Sequence, residues 1–76
     1  MKIQELKEQI KFLRSQVIYL VPSIASEKAQ GRKFASELCR LTEQIETRMG
    51  FEPTEKEQSL FEYAHACYME AMNKFK

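Results

Sequence analysis

The sequence predicts an all-α protein, either a three-helix bundle or a helical hairpin. Only two glycines and two prolines interrupt its 76 residues, and apolar residues recur at helical spacing in three separate segments. A chain of this length forms one domain at most and buries about 60% of its unfolded surface, so its core is marginal without help. We therefore expect a single helical domain over residues 1–76, with assembly into a dimer left open.

The first helix, predicted at about residues 2–21, carries a strict heptad pattern. Ile or Val alternates with Leu at intervals of three and four residues, and we call these six residues the heptad seam: Ile3, Leu6, Ile10, Leu13, Val17 and Leu20. The pattern requires another helix as its partner. Pro22 ends the helix because it lacks an amide hydrogen. This corner lets the first helix fold back within the chain or onto a second copy.

The positions that flank the heptad seam indicate which partner fits. They are basic or carry amides, so like charges would face each other across a parallel dimer. An antiparallel partner rich in glutamate fits better, and the second half of the chain supplies Glu43, Glu46, Glu57 and Glu62.

The second helix is predicted at about residues 23–49, and its start is the least certain boundary. Residues 24–33 contain one large apolar side chain and Gly31, so we expect them to be the most exposed part of the chain. The helix could begin anywhere from Ser23 to Lys33. Beyond this segment one apolar face is clear: Phe34, Leu38, Leu41, Ile45 and Met49. Gly50 can close the helix in a left-handed conformation, and Pro53 cannot continue it.

The third helix is predicted at about residues 55–75. Thr54 and Glu57 have the spacing of a capping box, which fixes its start. Its apolar stripe is wide enough to face two neighbours at once: Leu60, Phe61, Ala64, Cys67, Tyr68, Ala71, Met72 and Phe75. A stripe this broad suits a bundle better than a two-stranded coiled coil.

The sequence offers no catalytic, metal or cofactor site. His65 and Cys67 are two residues apart, so on a helix they point about 200° away from each other. Even with Cys39 they fall short of a four-ligand zinc site. We expect a protein that is not an enzyme and that has no metal and no cofactor.

The cellular setting is predicted from three features. The N-terminal residues carry charges where a signal peptide would be apolar, and no segment is long and uncharged enough to span a membrane. The two cysteines lack any metal or redox spacing, so we expect free thiols in a reducing compartment. A cytoplasmic location follows.

The apolar side chains outside the heptad seam point to a protein partner. Phe12, Ile18 and Tyr19 lie off this seam, and the edges of the third helix's stripe carry Phe61, Tyr63 and Met69. Either they pack within the chain or they face a partner, where aromatic residues and Met are enriched. We predict a small non-enzymatic helical protein-binding module, a regulator, inhibitor or assembly factor of the kind that bacteria and phages encode. It would bind a protein partner or a second copy through the heptad seam and the aromatic edge of the third helix.

The alternative prediction is a nucleic-acid-associated accessory protein. Residues 1–40 hold eight Lys and Arg against four Glu, whereas residues 41–76 hold four against seven. The candidate phosphate contacts are Lys7, Lys11, Arg14, Arg32 and Lys33. Interspersed glutamates and a pI of about 7.8 weigh against strong binding.

The run TEKEQSLFEYAHACYMEAMNKF combines a capped helix, an aromatic start and an MNK near its end. It resembles the C-terminal part of the Hha-type nucleoid modulators, small helical bacterial proteins that act by binding a DNA-organising partner. The resemblance covers less than a third of the chain and lacks that family's other landmarks. It illustrates a role through protein contacts, and no site residue is carried over from it.

Overall fold

The structure, a computed structural model, describes residues 2–76. It contains three helices, α1 (Ile3–Ile18), α2 (Ala25–Met49) and α3 (Glu55–Lys74), and no strand within the described residues. Each helix packs on both of the others. The prediction of an all-α three-helix bundle is therefore confirmed, and the chain is not a two-helix hairpin.

The helices run up, down and up along the bundle. Arg14 of α1 pairs with Glu70 of α3, and one turn further on Lys74 reaches the carbonyl of Val17, so α1 and α3 are parallel. Gly31 near the start of α2 lies against Phe75 after the end of α3, so α2 is antiparallel to both. The bundle measures 42 × 18 × 13 Å between Cα positions. The α1–α2 corner and the end of α3 therefore share one end of the molecule.

The core is built from all three helices. From α1 it takes four residues of the heptad seam, Leu6, Ile10, Leu13 and Val17, while Ile3 and Leu20 are half-buried against it. The other helices add Ala35, Leu38, Leu41, Ile45, Leu60, Ala64, Cys67, Ala71 and Phe75. The partner that the heptad seam requires is therefore present within the chain.

Helix α1 ends at Ile18, three residues before its predicted end. The carbonyl of Ile18 would normally accept a hydrogen bond from the amide of residue 22, but that residue is proline and has no donor. The Lys74 ammonium donates instead, to the Ile18 carbonyl at 3.0 Å and to the Val17 carbonyl at 2.8 Å. The end of α1 is thus capped by a side chain of α3.

Helix α2 begins at Ala25 and continues without interruption through Gly31. The Glu27 carboxylate accepts a hydrogen bond from the Val21 amide, which ties the corner to the first turn of α2. Gly31 is buried, so the expectation that residues 24–33 are the most exposed part of the chain is wrong at this position. The reason is the Phe75 ring: a Cβ on Gly31 would lie only 2.5 Å from two of its carbons.

The turn from α2 to α3 agrees with the sequence. Helix α2 ends at Met49, and Gly50 follows with a φ of 72°. The Thr54 hydroxyl accepts from the Glu57 amide at 3.2 Å, and the Thr54 amide donates to the Glu57 carboxylate at 3.0 Å. This capping box starts α3 at Glu55, as predicted, and α3 ends at Lys74 rather than residue 75.

Candidate interaction surfaces

The structure divides the predicted protein-binding residues into a buried and an exposed group. The heptad seam lies in or against the core and offers little surface to a partner. Phe12 is 62% exposed, in an open groove between α1 and α2, and Tyr19 is 80% exposed. Ile18 and Met69 are also exposed. The remaining apolar surface therefore lies on the outside of the bundle.

A line of three aromatic rings and one Met side chain runs along α3 beside its buried residues. Phe61, His65, Tyr68 and Met72 follow one another at intervals of four, three and four residues, and we call them the outer seam. The rings of Phe61 and His65 stack with centroids 6.1 Å apart, and those of His65 and Tyr68 lie 6.5 Å apart. Phe61 and Tyr68 are half-buried, whereas His65 and Met72 are exposed. The outer seam is an ordered, partly exposed ridge.

Tyr63 does not belong to the outer seam. It is two residues from Phe61, so it points to the opposite side of α3. There it lies near Cys67 and Arg14, and its burial raises the pKa of its phenol. The sequence grouped Phe61, Tyr63 and Met69 as one aromatic edge, but Phe61 and Tyr63 lie on opposite sides of α3, and the exposed Met69 belongs to neither side.

The two cysteines are free; Cys39 lies on α2 and Cys67 on α3. Cys67 is buried, and this desolvation raises the pKa of its thiol. The Cys39 sulfur lies 3.7 Å from a Glu43 carboxylate oxygen, and its electrostatic interaction with Tyr68 raises the pKa of that phenol. Within residues 2–76, no three His, Cys or acidic side chains gather closely enough to hold a metal ion.

Two of the predicted nucleic-acid-binding residues contact the C-terminal part of the chain, one from α1 and one from α2. Arg14 of α1 donates to Glu70 at 3.2 Å, and this hydrogen bond raises the pKa of its guanidinium. Arg32 of α2 donates to the Phe75 carbonyl at 3.5 Å. Lys7, Lys11 and Lys33 are exposed. Two of the five candidates therefore already have partners within the chain.

The glutamate that pairs with α1 was not among those predicted. Glu70 of the parallel helix α3 neutralises Arg14. In the described part of the chain, none of Glu43, Glu46, Glu57 and Glu62 forms an ion pair with α1. The sequence identified the need for a carboxylate beside α1 but placed it on an antiparallel partner.

Four exposed apolar residues cluster where α1 turns into α2. We call Ile18, Tyr19, Val21 and Ile24 the apolar corner; they are 50%, 80%, 44% and 46% exposed, respectively. Sequence reasoning named Ile18 and Tyr19 and missed the other two. The pattern that would have shown them is the density of large apolar side chains on both sides of Pro22.

Folding sharpens the charge asymmetry of the sequence. The half of the bundle formed by residues 11–40 and 63–76 holds eight Lys and Arg against three Glu, and we call it the basic end. The other half, formed by residues 2–10 and 41–62, holds four Lys and Arg against eight Glu, and is the acidic end. The apolar corner lies at the tip of the basic end.

Comparison with known protein families, curated proteins and solved structures found no match to this chain. Among residues 2–76, none of the helices combines the length and the apolar character that crossing a membrane requires.

Proposed function

We propose that this chain is a small non-enzymatic helical protein-binding module, a cytoplasmic regulator, inhibitor or assembly factor, that binds a helix of a protein partner along its outer seam. The observation that carries the proposal is the pairing of a coiled-coil spacing with exposure on one face of α3. The sequence favoured the heptad seam as the contact surface, but its residues lie in or against the core. We therefore assign the contact to the outer seam.

The spacing of the outer seam favours a helix as the bound element. Intervals of four and three residues are those at which side chains of one helix interlock with those of another. The buried side chains of α3 already follow the same rhythm against α1 and α2. A further helix packed on the outer seam would add a fourth helix to the bundle.

The composition of the outer seam also favours protein contact. Aromatic side chains and Met are enriched at protein interfaces. The three rings are already ordered by their mutual contacts, so binding would fix few additional rotamers. Glu43 and Glu62 lie beside the seam toward the acidic end. The matching partner is an amphipathic helix with basic residues at that end, whether in another protein or in a second copy.

The experiment is photo-crosslinking in cells with a benzophenone amino acid placed at one position of α3 at a time. We expect a discrete crosslinked product from His65 and Met72, and little from Ala66 and Asn73, which are exposed away from the outer seam. The mass of the product distinguishes a second copy from another protein. Equal yields on both sides of α3 would contradict the proposal.

A matched pair of variants tests the same surface in purified complex. Met72→Asp and Asn73→Asp place the same charge in the same last turn, but only the first lies on the outer seam. We expect Met72→Asp to abolish the crosslinked product, or the dimer detected by light scattering, and Asn73→Asp to retain it.

A nucleic-acid accessory role is the second candidate, favoured by the net charge of the basic end. Its test is binding to duplex DNA and to RNA at low salt, followed by the salt dependence of the affinity. Steep weakening with salt would support phosphate contacts. No binding at low salt would remove this candidate.

A further inference from the structure

We propose that the apolar corner docks on an anionic lipid surface, with its four side chains inserted among the head groups and the cations of the basic end facing lipid phosphates. This role uses the tip of the bundle and is independent of the outer seam, which lies along its side. Three observations support it: the shape of the corner, the hydrogen bonding of its backbone and the charge around it.

The apolar corner protrudes at one end of an elongated bundle. Its residues belong to the link between two helices, and they are exposed at the tip of a molecule 42 Å long. A bilayer interface accepts a convex apolar tip without needing a complementary socket. Tyr19, the most exposed of the four, has an aromatic body and a polar hydroxyl, a combination that favours the boundary between lipid and water.

Backbone groups of the corner already have partners within the protein. Lys74 satisfies the carbonyls of Val17 and Ile18, and the Val21 amide donates to Glu27. The Leu20 and Ile24 amides donate to carbonyls three residues earlier. Unpaired backbone groups oppose insertion into an apolar medium because they lose their hydrogen bonds to water. These hydrogen bonds therefore lower the free energy needed to move the corner from water into the lipid interface.

The charges near the corner match an anionic surface. Lys28 lies one turn into α2, and the exposed Lys33 and Lys76 also belong to the basic end. Arg14 and Lys74 already have partners within the chain, in Glu70 and in the carbonyls that end α1. Each cation near an anionic membrane contributes about a fivefold gain in affinity. The acidic end would point away from the surface, so the bundle would stand on its tip.

Other occupants match only part of this arrangement. The phosphates of nucleic acid match the cations but would leave the four apolar side chains at the tip without an apolar partner. A second copy could present its acidic end, where the side chain of Phe51 is fully exposed. That end-to-end contact is confined to the narrow cross-section of the bundle, 18 × 13 Å between Cα positions, and is small for a stable interface.

The experiment is flotation of the full chain with lipid vesicles at low salt. We expect binding to vesicles that contain phosphatidylserine, little binding to vesicles of phosphatidylcholine alone, and release as salt rises. Tyr19→Ser should weaken binding about tenfold, given the area its ring would bury. Lys28→Gln should weaken it about fivefold. The matched control is Phe51→Ser, which removes a fully exposed aromatic from the opposite end and should leave binding unchanged.

Two results would overturn the proposal. One is no binding to phosphatidylserine vesicles at low salt by the folded chain. The other is a mass that rises with protein concentration in the absence of lipid and falls to that of a monomer with either Tyr19→Ser or Phe51→Ser. That second result would assign the corner to the acidic end of another copy.

Discussion

At the scale of single residues, Gly31 has the most specific role. Glycine in the middle of a helix costs about 1 kcal/mol relative to alanine, and a long helix such as α2 would normally avoid it. Here the missing Cβ makes room for the Phe75 ring, which is 3% exposed. Gly31 thus allows the end of α3 to lie directly on the backbone of α2.

Gly31→Ala should destabilise the protein by up to about 2 kcal/mol. Overpacking costs about 1–3 kcal/mol, and the better helix propensity of alanine returns only about 1 kcal/mol. In a Phe75→Ala background the clash is absent, so the same substitution should be neutral or stabilising. Urea unfolding of the four proteins measures both effects. Destabilisation of equal size in both backgrounds would show that Phe75 is not the cause.

At the scale of helices, α1 and α3 are capped in different ways, and only the cap of α3 can be predicted from the sequence. The capping box of α3 joins residues three apart, so its spacing is visible in the chain. The cap of α1 joins Ile18 to Lys74, 56 residues further on. Sequence patterns depend on the spacing of nearby residues. They therefore predicted the capping box of Thr54 and Glu57, but they could not predict that α1 ends before Pro22.

The capping box should make stability depend on pH. The hydrogen bond that the Thr54 amide donates to the carboxylate, and then the Thr54 side chain, lower the pKa of Glu57 below its ordinary value of 4.5. Because the folded pKa is the lower one, this stabilisation is present above about pH 4.5 and is lost as the pH falls through the folded pKa. Glu57→Gln should reduce this loss, measured as the urea midpoint on both sides of that pH. Thr54→Ser retains the hydroxyl and should behave like the wild type.

At the scale of the whole molecule, the sequence predicted the fold class but not the pairing of surfaces. Helical spacing and the corner at Pro22 were sufficient to predict that three helices pack together. The parallel arrangement of α1 and α3 was not readable, because it depends on distant pairs such as Arg14 with Glu70. Because α1 and α3 are parallel, Tyr63 faces α1 while Phe61 lies on another side of α3. The same arrangement brings the basic segments together at one end of the bundle.

The assignment of the heptad seam to the core predicts opposite outcomes for two neighbouring substitutions. Leu13 is 7% exposed, so Leu13→Glu would bury a charge without a partner and should abolish cooperative folding. Lys11 is exposed, and Lys11→Glu should keep the helical content and the melting temperature. Circular dichroism during heating measures both. A Leu13→Glu variant that melts like the wild type would place the seam outside the core.

The parallel arrangement of α1 and α3 has a consequence for the order in which the protein is made. A ribosome synthesises the heptad seam before Glu70 and Lys74, which complete the surroundings of α1. The seam is therefore incompletely covered until α3 has been synthesised. Chains growing side by side on one messenger RNA would present identical uncovered seams to each other, so the like charges that flank the seam would hinder their parallel pairing until α3 is in place.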